Sequence, residues 1–426
     1  MEDMQQVSLS SLYSGVRNRT QSLVAELGAE DMLVQTMADV SPTKWHLAHT
    51  TWFWETFLLR EHLPGYKEFS SEYNYLFNSY YNGIGDRHDR PERGFLSRPP
   101  LGEVLDYRAH VDAAMMRLLG ANQDLKNAAL APLIQLGLAH EEQHQELTLT
   151  DIKHVLSRHP FAPAAFQAQT SRAVTQSGPP GWVAFDGGIV EIGAEAGGFH
   201  FDNEGPRHKA ILTPFALADR LATNRDYADF IADGGYGTAT LWLSDGWARV
   251  QAEGWTAPLY WREGAAGWEE FTLHGQQTLD PDGPVIHLSY YEASAFAEWS
   301  GARLPDEREW EHAATTGARA CDGRFVDPGL SAHPGVTPQS ASAAGGLRQM
   351  FGDAWEWTRS AYSPYPRYRP APGAVGEYNG KFMCGQFVLR GGSCATARDH
   401  VRSTYRNFFP PEARWQFSGF RLARDI

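Results

Sequence analysis

Cysteine is scarce in this chain: Cys321, Cys384 and Cys394 are the only three among 426 residues. Three thiols in that length do not make a disulfide framework, so the fold must rest on an ordinary core, and a reducing cytoplasm is the simplest compartment. No apolar run reaches the roughly 18 residues that a membrane-spanning helix needs. The N-terminus, Met1 to Gln6, has no basic segment followed by an apolar one, so no secretory signal is expected. Basic charge is also short. Lys plus Arg is 37 against 51 Asp plus Glu, a balance of −14 with His neutral. That argues against nucleic acid or an anionic membrane as a main partner. Aromatics, in contrast, are plentiful: 14 Trp, 17 Tyr and 22 Phe. They cluster in the C-terminal half and suit an aromatic-lined site as well as a compact, loop-rich core. The length suggests two or three domains.

The most informative segment is His140-Glu-Glu-Gln-His144. Two histidines four residues apart on a helix share one face, about 5–6 Å from each other, and can hold one transition metal. The segment fits the protease pattern H-E-x-x-H, in which the Glu is the catalytic base. The rest of that pattern is missing. Leu147 stands where the extended motif needs Gly, and no Glu lies between Glu146 and Glu191. On a helical wheel Leu136, Gly137, Gln143, His144, Leu147 and Asp151 fall within roughly 60° of His140. Glu141, Glu142, Gln145 and Glu146 fall on the other side, where solvated glutamates are expected. Asp151 is two turns (~10 Å) from His144, too far to share an ion with it.

A second histidine helix is expected over Ser41–Glu55, with Ser41 as N-cap and Pro42 at the first helical position. On its wheel His49 lies between Trp45, Trp52, Phe53 and Thr56, on a buried stripe where a polar ring needs a partner. A metal shared with His140 and His144 would supply one. His46 lies about 60° away on the wheel. It is the competing ligand, or else a supporting or packing residue.

Periodicity predicts helices over 8–27, 41–62, 102–120 and 125–157, hence a four-helix bundle, a fold that places metal ligands on facing helices. The long loop from Pro64 to Pro100 is rich in tyrosine and expected to be ordered. Residues 159–180 read as a linker. After Gly181, short apolar stretches alternate with Gly, Pro and Asn. That texture predicts an irregular α+β domain with helices over Asn224–Ile231 and Ser289–Ser300, without internal repeats or a coiled coil.

These motifs resemble a known family over nearly the whole chain. Residues 1–158, with Trp45-His-Leu-Ala-His49 and His140-Glu-Glu-Gln-His144, look like a DinB-type four-helix bundle. Residues 181–426 resemble the C-type-lectin-like fold of formylglycine-generating, sulfatase-modifying enzymes. The marks are Asn203-Glu-Gly-Pro-Arg-His208, Trp299 to Trp310, Phe351-Gly-Asp-Ala-Trp-Glu-Trp357, Leu389-Arg-Gly-Gly-Ser393 and Gly419-Phe-Arg-Leu-Ala423. Together the halves resemble the sulfoxide synthases of ergothioneine biosynthesis (EgtB). Leu76-Phe-Asn-Ser-Tyr-Tyr81 and Gly376 to Phe382 are similar to the cysteine-using subgroup.

The resemblance implies a non-haem Fe(II) enzyme that uses O₂ to join a thiol sulfur to imidazole C2 of hercynine, giving a sulfoxide. It implies His49, His140 and His144 as ligands, and Gln143 as a hydrogen-bond partner of the substrate imidazole. Tyr80 and Tyr81 match active-site tyrosines, one of them a proton donor. Arg87, Arg90 and Arg93 are candidates for the cysteine carboxylate. Phe408, Phe409, Trp415 and Phe417 are candidates for a cage around trimethylammonium, with the fold's core expected to claim at least two of them. Formylglycine-generating chemistry is not implied, because the required cysteine pair is absent; Cys384 and Cys394 read as buried or supporting thiols. Two other readings stand beside this one: a sister enzyme of selenoneine or ovothiol type, and a metal-binding module without catalysis.

Overall fold

The structure, a computed structural model, describes residues 8–121, 130–167, 178–316, 323–326, 333–334 and 346–426. Cys321, residues 168–177 of the expected linker and the start of the helix expected from 125 lie outside the described residues. The chain forms two compact units. The first is Met1–His159 with Pro372–Tyr378; the second is Pro160–Ala371 with Asn379–Ile426.

The first unit is built on four helices: α1 (Leu9–Leu23), α2 (Thr43–Trp54), α3 (Leu101–Ala121) and α4 (Leu130–Ser157). Ser8 caps α1, its hydroxyl accepting from the Ser11 amide at 3.2 Å. Helix α2 packs against α3 and α4, and α1 packs against the same two. Every residue of α2 is buried, polar ones included. A helix covered on all sides needs internal partners for its polar groups, and α2 carries two of the candidate histidines. Gly137 is where α4 meets α2: a Cβ there would lie 2.6 Å from the Trp54 ring. The helix expected over 41–62 is interrupted. After Trp54 it widens into a π-helical turn, Glu55–Leu59, before a last turn at Arg60–His62. Glu55 is fully buried there and accepts from Tyr107 Oη (2.6 Å) and Tyr66 Oη (2.5 Å). Ser41 does not cap α2; its hydroxyl accepts from Arg93 Nη1 at 2.9 Å instead.

The second unit is α+β. Its sheets are short. Phe215–Ala218 runs antiparallel between Trp182–Phe185 and Ala423–Asp425. A four-stranded sheet has the order Asn407–Phe409, Phe387–Arg390, Trp355–Ala361, Ser418–Gly419. A ribbon (Gly188–Ile192 with His208–Leu212) and a meander (Trp261 to Thr278) complete the described strands. Helices α5 (Asn224–Ala232) and α7 (Tyr290–Trp299) sit where the sequence predicts them. Each starts with a capping box, Thr223/Asp226 and Ser289/Glu292. Two further helices, α6 (Ser244–Glu253) and α8 (Glu307–Thr316), are additional to those expected from the sequence. Within the segment read as linker, the Ala165 and Phe166 amides both donate to the Leu273 carbonyl of the meander region.

The motifs of this half turn out to be buried ion pairs. Glu356 receives Arg421 at 2.6 Å, and Arg390 donates to both Glu307 (3.0 Å) and Glu311 (2.9 Å). Gly391 beside Arg390 has φ +97°, and a Cβ there would meet the Met350 carbonyl at 2.7 Å. Cys394 is buried, but Cys384 is exposed, contrary to expectation. Among the described residues no helix is long and apolar enough to cross a membrane.

Candidate metal centre

His49 on α2 and His140 and His144 on α4 converge. Each offers a ring nitrogen, and the three lie within 4.8 Å of one another. His49 Nε2 and His140 Nε2 are 3.2 Å apart. Two nitrogens bound to one first-row ion at about 2.1 Å are separated by roughly this much when they subtend about a right angle. His49 Nδ1 donates to the Phe77 carbonyl at 2.6 Å, which leaves the Nε2 lone pair for a metal. His140 Nδ1 is buried without a hydrogen-bond partner.

Burial first, and then the charges of His140 and Arg93, holds His49 well below the ordinary histidine value. Burial pulls His140 down to about 3. Burial, then His49 and His140, lowers His144 well below its usual value. All three are therefore neutral near pH 7, the form that coordinates. Three neutral imidazoles with no carboxylate fit Fe(II) and leave positions for substrates.

His46 is not a fourth ligand. Its Nδ1 faces His144 Nδ1 at 2.9 Å and its Nε2 faces Asp151 Oδ2 at 2.9 Å, so both ring nitrogens are engaged.

The glutamates next to the ligands do not behave as the wheel predicts. Glu141 is fully buried. It accepts from Arg17 (3.1 Å), Arg108 (3.2 Å), Thr20 (2.8 Å) and Trp54 (2.8 Å). Gln145 is buried too and donates to the Val16 carbonyl at 2.9 Å. Helix α4 is enclosed on both faces, one by imidazoles and one by ion pairs from α1 and α3. Burial alone would push Glu141 up, but Arg17 and Arg108 outweigh it and hold the carboxyl at about 2. A carboxylate so occupied cannot serve as the base of a protease.

The loop after α2 is tied to it. Trp45 Nε1 donates to the Leu76 carbonyl (3.1 Å) and Trp52 Nε1 to Asn74 Oδ1 (3.0 Å). Asn78 then fixes the tyrosines, donating to the Tyr81 carbonyl (3.1 Å) and accepting from the Tyr81 amide (3.3 Å). Tyr81 is buried among Trp52 (5.7 Å) and Phe57 (5.1 Å), and burial pushes its phenol up. Tyr80 Oη accepts from Arg90 Nη1 at 2.9 Å. Arg90 also donates to the Asp39 carbonyl. Arg87 is exposed and donates to the Ser79 carbonyl at 2.8 Å.

Arg93 is buried. Its guanidinium lies 3.4 Å over the Trp45 ring, and Trp45 stacks on His49 at 4.6 Å. It donates to Ser41 Oγ (2.9 Å) and Ser79 Oγ (3.2 Å), and no carboxylate pairs with it among the described residues. Burial, reinforced by Arg90 and Arg87, pulls it to about 9. Gln143 is half-buried beside His144.

Two residues of this region had no role assigned to them from the sequence. Glu377 accepts from the amides of Asn82 (2.9 Å) and Gly83 (2.8 Å), and the Tyr378 ring lies 6.1 Å from Tyr80. They lie in the Gly376 to Phe382 motif, but some 295 residues from the loop they hold, so the contact itself is not written in any local pattern.

In the second unit the expected aromatic cage divides. Phe417 is fully buried against His287 at 5.0 Å and is core, not a ligand-facing wall. Phe408 stacks on Tyr362 at 4.1 Å. Phe409 and Trp415, both half-buried, meet edge to face at 6.2 Å.

Known proteins fit both units. Residues 12–147 match the DinB superfamily, and residues 167–329 and 331–426 match the sulfatase-modifying factor enzyme 1-like domain. The formylglycine-generating enzyme of Thermomonospora curvata is 28% identical over 299 residues, covering 61% of this chain and 99% of that enzyme. The hercynine oxygenase of Mycobacterium tuberculosis is 33% identical over 406 residues, covering 91% of this chain and 92% of that protein. That of Mycolicibacterium smegmatis is 32% identical over 445 residues, covering 96% of this chain and 97% of its own. With the similarity running through bundle and sulfatase-modifying-factor-like domain alike, the chain belongs to the hercynine oxygenase family of oxidoreductases.

Proposed function

We propose that this chain joins the sulfur of cysteine to imidazole C2 of hercynine, using Fe(II) and O₂, and releases the sulfoxide. The balance is one thiol S–H and one C2–H lost, one C–S bond formed, one oxygen atom placed on sulfur and the other reduced to water. The observation that carries the reading is the convergence of three neutral imidazoles, His49, His140 and His144. Fe(II) held by them supplies the redox chemistry that couples O₂ reduction to C–S bond formation.

The chain's own residues bind, orient and supply protons. Arg93 is a buried guanidinium with no carboxylate paired to it among the described residues. Such a charge is costly until an anion joins it, so it suits the cysteine carboxylate, with Arg90 and Arg87 beside it. Gln143 offers an amide to the hercynine imidazole. Tyr80, its oxygen polarised by Arg90, or Tyr81, a desolvated phenol, holds the proton that the oxygen chemistry takes up. Phe409 and Trp415 offer aromatic faces to the trimethylammonium.

The test is anaerobic loading of the purified chain with Fe(II), then O₂, hercynine and cysteine, with mass spectrometry of the product. γ-Glutamylcysteine, a selenium donor and histidine as acceptor are run beside them. A hercynine–cysteine sulfoxide formed fastest supports the proposal; faster turnover of any competitor overturns the assignment of the donor or acceptor.

A further inference from the structure

We infer that His46 and Asp151 are positioning residues that fix the tautomer of His144, so that His144 presents its Nε2 lone pair to the metal. The inference rests on the proposed metal site but concerns residues outside the ligand triad.

The argument follows the protons. Asp151 Oδ2 accepts from the Ser41 amide at 2.7 Å, just before α2 begins. The same oxygen lies 2.9 Å from His46 Nε2. A carboxylate only accepts, so the ring proton of His46 sits on Nε2. Its Nδ1 is then a lone pair, and that lone pair faces His144 Nδ1 at 2.9 Å. Two lone pairs do not share a hydrogen bond, so His144 carries its proton on Nδ1. Its remaining nitrogen, Nε2, is left unprotonated. His46 and Asp151 are both buried, at 4% and 3% exposure, so no solvent scrambles the chain of donors.

The second ligand with a defined tautomer is made the same way: His49 Nδ1 donates to the Phe77 carbonyl, leaving its Nε2 lone pair. Imidazoles that ligate metals are commonly held by an acceptor at the other nitrogen. Here the acceptor of His144 is another imidazole, itself oriented by a carboxylate at the seam of α2 and α4. Asp151 also joins the two ligand helices through the Ser41 amide, so the same oxygen sets both helix register and proton position.

The test uses the intact chain and two readouts. Fe(II) affinity is measured by anaerobic calorimetry, with Co(II) absorption as a second metal probe, for wild type, His46→Leu, Asp151→Ala and the double variant. Each single variant should weaken binding roughly 10–100-fold, and the double should weaken it no further than the worse single, because the two act through one ligand. Wild-type affinity in both single variants overturns the inference, as does a double variant whose loss is the product of the two singles. Nitrogen-15 histidine NMR of the metal-free wild-type chain reads the tautomer directly, with His144→Gln to assign the signal. Proton on Nδ1 supports the inference and proton on Nε2 overturns it, even if a variant fails to fold. A wild-type chain that binds neither metal sinks the proposed function, while the tautomer measurement still decides this point.

Discussion

His49 Nε2 and His140 Nε2 face each other at 3.2 Å across the seam between α2 and α4. Two neutral imidazoles held so close gain most from a shared cation. Replacing His49, His140 or His144 by Ala should weaken Fe(II) binding by more than the roughly 10–100-fold typical of a supporting residue. Oxygen-dependent turnover should vanish. Metal analysis of anaerobically loaded protein checks this. Full iron in His49→Ala, with iron lost in His46→Ala, would reverse the ligand assignment.

Arg93→Met keeps a straight chain over Trp45 and removes the unpaired charge. Losing charge-assisted bonds of about 1.5–3 kcal/mol should raise the cysteine KM roughly 10–100-fold. The hercynine KM should change far less. The substrate-free variant should melt at or above the wild-type temperature, because the lost charge had no carboxylate partner. A variant that melts well below wild type and keeps its cysteine KM would make Arg93 a structural residue.

Glu141 links fold to pH. Its carboxyl is held at about 2, below the ordinary 4.5, by Arg17 and Arg108 against the opposing effect of burial. The stability it contributes is fully present above about 4.5 and drains away as pH falls towards 2. Glu141→Gln leaves both guanidiniums without that charge and should cost about 3–5 kcal/mol at pH 7. Urea denaturation from pH 7 to 3 should bring variant and wild type closer together as acid is added. A constant gap across that range would mean that the loss does not come from the charge of the Glu141 carboxylate.

Tyr80→Phe or Tyr81→Phe should cut sulfoxide formation, since loss of a positioned proton donor typically costs 10²–10⁴-fold. Thiol oxidation to cysteine sulfinate should rise in its place. Product ratios by mass spectrometry read this. Unchanged rate and ratio in both variants would make the pair structural.

Phe409→Leu or Trp415→Leu should raise the hercynine KM more than the cysteine KM and narrow the preference for hercynine over histidine. Cation–π contacts worth about 0.5–2 kcal/mol each set the scale. Steady-state kinetics with both acceptors are decisive; an effect confined to cysteine would remove these rings from the cage.

The sequence by itself determined the parts that depend on local spacing. The i, i+4 pair His140/His144, the Trp-rich stripe around His49 and the capping boxes at Thr223 and Ser289 are all written within a few residues. So were the bundle and the motif-rich second half. Tertiary structure decided everything that depends on what covers a face. The wheel put Glu141 opposite the ligands and took that side for solvent; Arg17 from α1 and Arg108 from α3 close over it and make it buried charge. Asp151 was set aside as too distant to bind the ion, yet it reaches the site through His46. Ser41 looked like a helix cap and became a partner of Arg93. Phe417 looked like a cage wall and became core. A periodic pattern reports which side of an element is apolar, but not which distant segment packs there. Buried charges and relayed protons are settled by those distant partners.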